Sequence, residues 1–499
     1  MIFLALIPIY FAVILPIAIL SFVAKLAWKK VGPMLGYKPA RTTPSPSDTT
    51  PTVAPPTNVI PWAQRQYDLV VVGATGFTGR FATQYLVRQY GKSIKWAVAG
   101  RNQSALRQLI ENATEGHAEA AAIRQHVGII QADTTVPDQA RLIVENAKVV
   151  ISMAGPFDIY GSLLVQMCAL YGTHYCDITG ESDWVRKMID KYDDIARRTG
   201  ARLVNFCGHD CAPWDLLVYR IAEMLKTKGE RLTSVEMFDE IVGAMSGGTV
   251  ATLFHSLTDR VKYKAQLGYD PLNKCYASQG SSTGSATASA QSHATIINKV
   301  PVLLHHNRRA FDGRGAWMGP FLMAQVMINC VRRSNAINGY SGDPMGEKSG
   351  LKYYEAAVYP SFLAALFDFQ FMVVFGTCLM CPPLAWLLRK YVLPKPGQGP
   401  SKDVLDAAFL RLTARGVGSN GTVASAAIYF PRDPGYIDTA RMLVESGLAL
   451  ALESDKINAP GGFHTPATCQ KDVLLRRLTE TGCVYAEKFN VPPIKVTKL

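Results

Sequence analysis

Three observations predict an α/β fold: a Rossmann-type doubly wound parallel sheet, joined to a second α+β substrate or dimerisation domain and preceded by an N-terminal membrane helix. The first is Leu69-Val70-Val71-Val72 running into Gly73-Ala74-Thr75-Gly76-Phe77-Thr78-Gly79, an uncharged, mostly β-branched run that breaks into glycines spaced by three. The second is the alternation of strand-like and helix-like stretches from Tyr67 to about Trp214, as expected of a parallel sheet covered on both faces. The third is Met1 to Ala24, which carries no charge and is long enough to cross a bilayer core as a helix.

The glycine stretch reads as a dinucleotide clamp. Without Cβ atoms, Gly73, Gly76 and Gly79 permit a tight turn, close approach of a diphosphate and close packing of helix on strand. The helix that follows aims its free N–H groups at that phosphate, so Thr75, Phe77 and Thr78 belong to the same cradle. Lys95 to Ala99 supplies the second strand, ending at Gly100-Arg101. An acidic residue there would hold the ribose hydroxyls of NAD, whereas an arginine can pair with a 2′-phosphate. NADP is therefore the expected coenzyme, the alternative being a solvated Arg101.

Further strands are expected at 127–131 and 149–153, with helices at about 103–112, 138–146, 160–171 and 183–199. Asp133 follows the third strand, where it either meets the adenine end of a coenzyme or caps a helix. Ala154-Gly155-Pro156-Phe157 ends the fourth strand at the ligand-binding edge and is expected to line the diphosphate and nicotinamide ribose. Tyr160, Asp177, Glu181 and His209 are the candidate proton donors, being titratable groups near the carboxyl ends of strands. Each is more often structural when taken alone. His464 lies on an expected loop, and Ser246-Gly247-Gly248-Thr249 is a turn that could also contact an anion.

The expected division is a transmembrane anchor at 1–30, a Pro/Thr/Ser-rich linker at 31–64 and an NADP-binding domain at 65–213. A substrate or dimerisation domain follows at 214–499, compatible with a homodimer. Lys25, Lys29, Lys30, Lys38 and Arg41 all follow the uncharged stretch Met1 to Ala24, which places the remainder in the cytosol. The endoplasmic reticulum or a lipid droplet is the expected site, with a mitochondrial membrane as the alternative. Ser278 to Ser292 reads as a low-complexity insertion. Within the second domain, 356–393 holds a second apolar run, Phe369 to Leu388, broken by Pro382-Pro383. It reads as a re-entrant or leaflet-embedded platform, the alternatives being a buried core helix and a full span.

The formal net charge of +13 over 499 residues is scattered in doublets. With no aromatic-interleaved basic module or zinc finger, no nucleic acid partner is expected and membrane phosphates are the better match. Ten irregularly spaced cysteines in so long a chain exclude a disulfide scaffold. No metal site is assigned, because Cys378 and Cys381 lie in an apolar run without companion ligands.

Gly73-Ala-Thr-Gly76-Phe-Thr-Gly79, Ala99-Gly-Arg101, Ala154-Gly-Pro-Phe157, Tyr175-Cys-Asp-Ile-Thr-Gly-Glu181 and Cys207-Gly-His-Asp210 together resemble the saccharopine dehydrogenase-like oxidoreductases. That group includes the trans-acting enoyl reductases of glycolipid synthesis. Ser246 to Thr249, Pro320-Phe321, Arg332-Arg333-Ser334 and Thr465-Pro466-Ala467 extend the resemblance to the second half. It implies an NADP-type oxidoreductase linked to lipid metabolism and supplies no settled catalytic residue. The leading expectation is a membrane-associated, NADPH-dependent reductase of a lipid-linked or acyl substrate. The alternatives are a saccharopine-type amino-acid enzyme, with Arg332 and Arg333 meeting carboxylates, and a silent nucleotide-binding scaffold on a membrane or lipid droplet.

Overall fold

The computed structural model describes residues 55–254, 297–298, 304–307, 315–321, 323–341, 351–395 and 397–490. The first layer opens with β1 (Tyr67–Val72), α1 (Phe77–Gln89), β2 (Trp96–Gly100), α2 (Gln103–Thr114), α3 (Ala120–His126) and β3 (Gly128–Gln131). It continues through α4 (Pro137–Asn146), β4 (Ala147–Ser152), α5 (Phe157–Tyr160), α6 (Ser162–Tyr171), β5 (His174–Asp177), α7 (Ser182–Thr199) and β6 (Arg202–Val204). Helices expected at 103–112, 138–146 and 183–199 are found close to those limits. The expected helix 160–171 is instead two, because the chain turns at Gly161, where a Cβ would lie 2.9 Å from the Trp184 ring.

The second half contributes α8 (Ala212–Lys226), β7 (Leu232–Val242), α9 (Gly247–Phe254), β8 (Ile297–Asn298), β9 (His305–Asn307), β10 (Ala316–Gly319) and α10 (Ala324–Asn338). Next come β11 (Lys352–Tyr359), α11 (Phe362–Met380), α12 (Pro382–Leu387), α13 (Lys402–Ala407), β12 (Phe409–Gly418) and β13 (Val423–Phe430). The chain closes with α14 (Ile437–Leu452), β14 (Gly462–His464), α15 (Pro466–Cys469), α16 (Lys471–Glu480) and β15 (Val484–Phe489).

Seven parallel strands form the first sheet in the order β14-β6-β5-β4-β1-β2-β3. Strand order reverses between β1 and β4. The second sheet runs β15-β13-β12-β7-β11-β10-β9, with β8 beside β11. It is mixed rather than purely antiparallel, since β11 runs parallel to β7 and β8.

The C-terminal part returns to the first sheet. β14 extends it, so His464 is buried in a strand rather than on a surface loop, its Nε2 2.9 Å from the Pro460 carbonyl. Helix α14 covers β1 and β4, and a Cβ on Gly447 would lie 2.6 Å from Ile151 and 2.7 Å from Leu69. Only a glycine lets this helix come so close. Glu445 of α14 accepts hydrogen bonds of 2.7 Å from the hydroxyls of Tyr85 and Tyr90 and pairs with Arg477 at 2.8 Å. Tyr85 lies on α1, so this buried carboxylate fastens the last third of the chain to the glycine-led helix.

The N-terminal membrane helix of the expected fold is corrected. Among the described residues, the helix long and apolar enough to cross a membrane is mid-chain, at Phe362–Leu379. The anchor expected at 1–30 lies outside the described residues, as do 31–54 of the linker and the insertion at 278–292. The described end of the linker is tied down, with Trp62 Nε1 donating to the Lys148 carbonyl at 3.2 Å.

Replacing Glu445 with Ala should lower unfolding stability by about 2–3 kcal/mol, because the Tyr85 and Tyr90 hydroxyls lose their acceptor while Arg477 keeps Glu453 at 2.7 Å. Tyr85→Phe should cost only about 1 kcal/mol. Urea midpoints of the two variants check the order.

Candidate coenzyme and active site

Gly73 leaves β1 at φ +80°, and a Cβ there would lie 2.9 Å from the backbone nitrogen of Ala154. The loops after β1 and β4 are therefore in backbone contact at the point of strand reversal, where open α/β sheets take their ligands. Gly76 caps α1 without a side chain, and a Cβ on Gly79 would lie 2.2 Å from the Gly73 carbonyl oxygen. The helix is thus pressed onto the turn. The first-turn amides, at Phe77, Thr78 and Gly79, are ones for which an α-helix provides no internal acceptor. With Thr75 exposed at the tip of the turn and no carboxylate between 73 and 79, the cradle fits a coenzyme diphosphate.

Arg101 is exposed at the end of β2, and its carbonyl accepts from Gln131 Nε2 at 3.3 Å. Asp133 Oδ1 accepts from the hydroxyl and backbone nitrogen of Thr135 at 2.7 and 2.9 Å. Those bonds, chiefly the one from the hydroxyl, hold its carboxyl below the usual range, with a smaller contribution from the nearby charge of Arg101. Tyr160 is 39% exposed, and its carbonyl accepts from Thr134 at 3.3 Å, beside the Asp133 turn.

Glu181 is buried and accepts from the backbone nitrogens of Phe157 at 2.7 Å and Asp158 at 3.1 Å. It holds the loop Ala154-Gly155-Pro156-Phe157 in place, with Phe157 against Trp184 at 5.5 Å between ring centroids. Asp177 is fully buried and accepts from Asn205 Nδ2 at 2.8 Å and from the backbone nitrogens of Thr179 and Phe206 at 3.2 and 3.3 Å. Phe206 has φ +66°, a left-handed conformation that costs about 1–3 kcal/mol in a residue of this size. Asp177 therefore anchors the strained turn that leads to Cys207-Gly208-His209-Asp210. Burial outweighs its donors and pushes its carboxyl up to about 7.

His209 lies beyond that turn with its ring edge against Trp214, 5.2 Å between centroids. Its Nε2 is 3.9 Å from Asp210 Oδ1, while Nδ1 is buried without an acceptor among the described residues. Burial favours the neutral imidazole and raises the Asp210 carboxyl. Of the four candidate proton donors, then, Glu181 and Asp177 hold loops, Tyr160 is on the surface, and His209 is the one whose buried ring nitrogen lacks a partner.

The family model of the saccharopine dehydrogenase NADP binding domain matches residues 69–204. A trans-acting enoyl reductase of Mycobacterium bovis is 30% identical over 441 residues, covering 85% of this chain and 98% of the relative. Its counterpart from Mycobacterium ulcerans is 29% identical over 439 residues, with the same coverage of both chains. The chain belongs to the saccharopine dehydrogenase-like family. It is an NAD(P)-dependent oxidoreductase related to the trans-acting enoyl reductases. Among solved structures, the apo saccharopine dehydrogenase (L-Glu forming) of Saccharomyces cerevisiae aligns over 85% of this chain and 100% of that one, at 12% identity and a TM-score of 0.46.

Two features of this family member escape sequence reasoning. The first is the packing of α9 and Tyr436 beside the loop after β4 and the start of α1. Thr252 of α9 would lie 3.6 Å from a Cβ on Gly155, and Tyr436 stacks edge-on against Phe77 at 5.0 Å. Ser246 and Gly247 do not offer their amides to an anion: the first donates to the Tyr436 hydroxyl and the second to the Gln398 carbonyl at 3.0 Å.

The second is a pair of buried carboxyls, Asp239 on β7 and Glu355 on β11, on one face of the second sheet. Trp214 Nε1 donates to Asp239 at 3.0 Å and the Tyr353 hydroxyl to Glu355 at 2.7 Å. Burial, and for Glu355 the neighbouring Asp239, push both upward, Asp239 to about 8. The signal was available: Glu355 interrupts the otherwise uncharged stretch Tyr353 to Tyr359.

Two outcomes follow. Arg101→Ser should weaken NADPH binding by about 10–100-fold, the loss of one or two charge-assisted hydrogen bonds, with NADH binding unchanged by fluorescence titration. Asp239 and Glu355 titrate near 4 when unfolded, so their protonated forms favour the native state fully below that pH. For Asp239 that contribution is lost as pH rises through about 8. Asp239→Asn should therefore gain stability relative to the parent as pH rises from about 4 to about 8, read from urea midpoints at each pH.

Proposed function

We propose that the protein is an NADPH-dependent reductase of an acyl or lipid-linked substrate, with a polarised C=C bond as the reacting group, working at a membrane or lipid-droplet surface. The observation that supports this is the packing of α9, whose Thr252 meets the loop after β4 at Gly155 and whose Val250 and Phe254 pack against Leu379 and Ala385 of the apolar helices α11 and α12. A reduction site beside a layer that faces outward with phenylalanine and leucine suits an acyl chain better than a free amino acid. The names of the mycobacterial relatives point the same way.

In this reading the first-turn amides of Phe77, Thr78 and Gly79 bind the diphosphate, Arg101 pairs with the 2′-phosphate, and Asp133 lies at the adenosine end. Gly155, Pro156 and Phe157 border the nicotinamide side, held by Glu181. Bound NADPH supplies the hydride. We assign the proton to His209, which burial keeps neutral and whose Nδ1 has no partner among the described residues, with Asp210 beside it. Arg333, the candidate for gripping a carboxylated substrate, is buried and donates to the Phe463 carbonyl at 2.6 Å.

The test is NADPH oxidation by the full-length protein in detergent with medium- and long-chain enoyl thioesters, set beside saccharopine. Turnover of an enoyl substrate is expected, and His209→Gln should lower kcat by about 10²-fold or more, as for loss of a general acid, with NADPH affinity unchanged. Turnover of saccharopine instead, or tight NADPH binding with no reduction of any enoyl substrate, contradicts the proposal.

A further inference from the structure

Helix α11 has one outward face. Leu363, Phe367, Phe371 and Val374 are 73, 76, 53 and 61% exposed, at spacings of four, four and three residues. The one charge between Phe362 and Leu388, Asp368, is turned away from that face, taking a 2.6 Å hydrogen bond from the Tyr359 hydroxyl. Beyond α12, Tyr391 and Val392 continue the apolar exposure at 67 and 70%. There Lys390 Nζ lies 4.6 and 5.1 Å from the Trp386 and Tyr391 rings, next to Arg389. An uncharged stripe ending in aromatic rings and a basic doublet matches the acyl-to-headgroup boundary of a phospholipid leaflet.

The length of α11, about 28 Å at 1.5 Å per residue, would permit a span, but its attachments do not. The Phe362 ring lies 4.8 Å from that of Trp317 on β10, and Leu379 at the other end is buried with Val250 and Phe254 of α9. The strands flanking it, β11 and β12, both pair with β7. Both ends are fastened to the same body, so the helix lies flat against it.

The chain leaving this layer then crosses the coenzyme helix. Arg80 of α1 donates to the Gly397 carbonyl at 2.5 Å, and the Gln398 carbonyl accepts from Gly247 at 3.0 Å. At Gly399 a Cβ would lie 2.2 Å from the Phe77 ring. A second route reaches the same ring, from α9 through Thr249 to the Tyr436 hydroxyl at 3.2 Å and from Tyr436 to Phe77. Whatever fixes residues 362–392 also fixes the first residue of the helix that holds the diphosphate.

We propose that residues 362–392 seat the protein in the plane of an anionic phospholipid leaflet, and that this seat and the coenzyme cradle are coupled, so that each tightens the other. The proposal rests on the membrane-surface reading above and adds its geometry and its consequence. Coupling is reciprocal and typically about 5–150-fold.

The test measures NADPH affinity, not turnover, with full-length protein and vesicles of phosphatidylcholine containing phosphatidylserine. Vesicles should lower the NADPH Kd at least about fivefold in the parent and leave it unmoved in the Phe367→Glu/Phe371→Glu double variant. Both proteins share the same amino-terminal segment, so the comparison isolates the 362–392 surface. A fluorescent amino acid placed at position 363 or 374 by codon suppression should be quenched equally, and best, by lipids brominated near the headgroup. Unequal depths at the two positions, no quenching, self-association through this face, or a Kd indifferent to vesicles in the parent would overturn the proposal. NADPH binding without vesicle response would leave the reductase assignment standing, whereas failure to bind NADPH under any condition would remove it.

Discussion

The structure depends on a backbone-to-backbone contact. Gly73 and Ala154 end the two strands on either side of the strand reversal, and there is no room between them for a methyl group. The contact brings the turn that begins α1 against the start of the Ala154–Phe157 loop. Much of the surrounding polar chemistry serves to keep these loops still. Glu181 takes two backbone amides of the second loop, and Asp177 holds the left-handed Phe206. Glu445 ties α14 to Tyr85 of α1 and to Tyr90 at its end.

This division of labour explains why buried carboxylates are frequent here without each being catalytic. A carboxylate that accepts two or three amides is an efficient brace, because loops at the edge of a parallel sheet leave donors that no strand satisfies. Asp239 and Glu355 differ, since each keeps one oxygen without a partner among the described residues. They stand under Trp214, the ring that also meets His209 and, at 6.0 Å, stacks on Phe321. Trp214 is thereby held to the second sheet by a pair whose charge is set by burial.

The first layer was legible because its signals are local. A β-branched run, glycines at fixed spacing and a helix pattern all fall within about twenty residues of Tyr67, and strand edges followed within one or two positions. What failed needed distant partners. Nothing in Gly462-Phe463-His464 says that these residues extend a sheet begun 395 positions earlier, at Tyr67. Likewise, Gly447 announces its close approach to Leu69 and Ile151 only in space. The Ser246–Thr249 turn could have met an anion, though a plain turn was the better reading, and the amides of Ser246 and Gly247 are taken by Tyr436 and Gln398. Apolar length alone could not separate a span from a surface helix at 362–380, and the pairing of both flanking strands with β7 is a contact between distant residues that the sequence does not show.

The central claim is that the amides of residues 77–79, on a helix pressed onto the Gly73 turn, hold the diphosphate of NADPH. It is tested most directly by calorimetric titration of NADPH into the purified full-length protein and into Gly79→Val, with circular dichroism to verify that the variant keeps its helices. The account predicts saturable one-to-one binding in the parent and none in the folded variant. Equal affinity in the two proteins, or no binding by the parent, would contradict it.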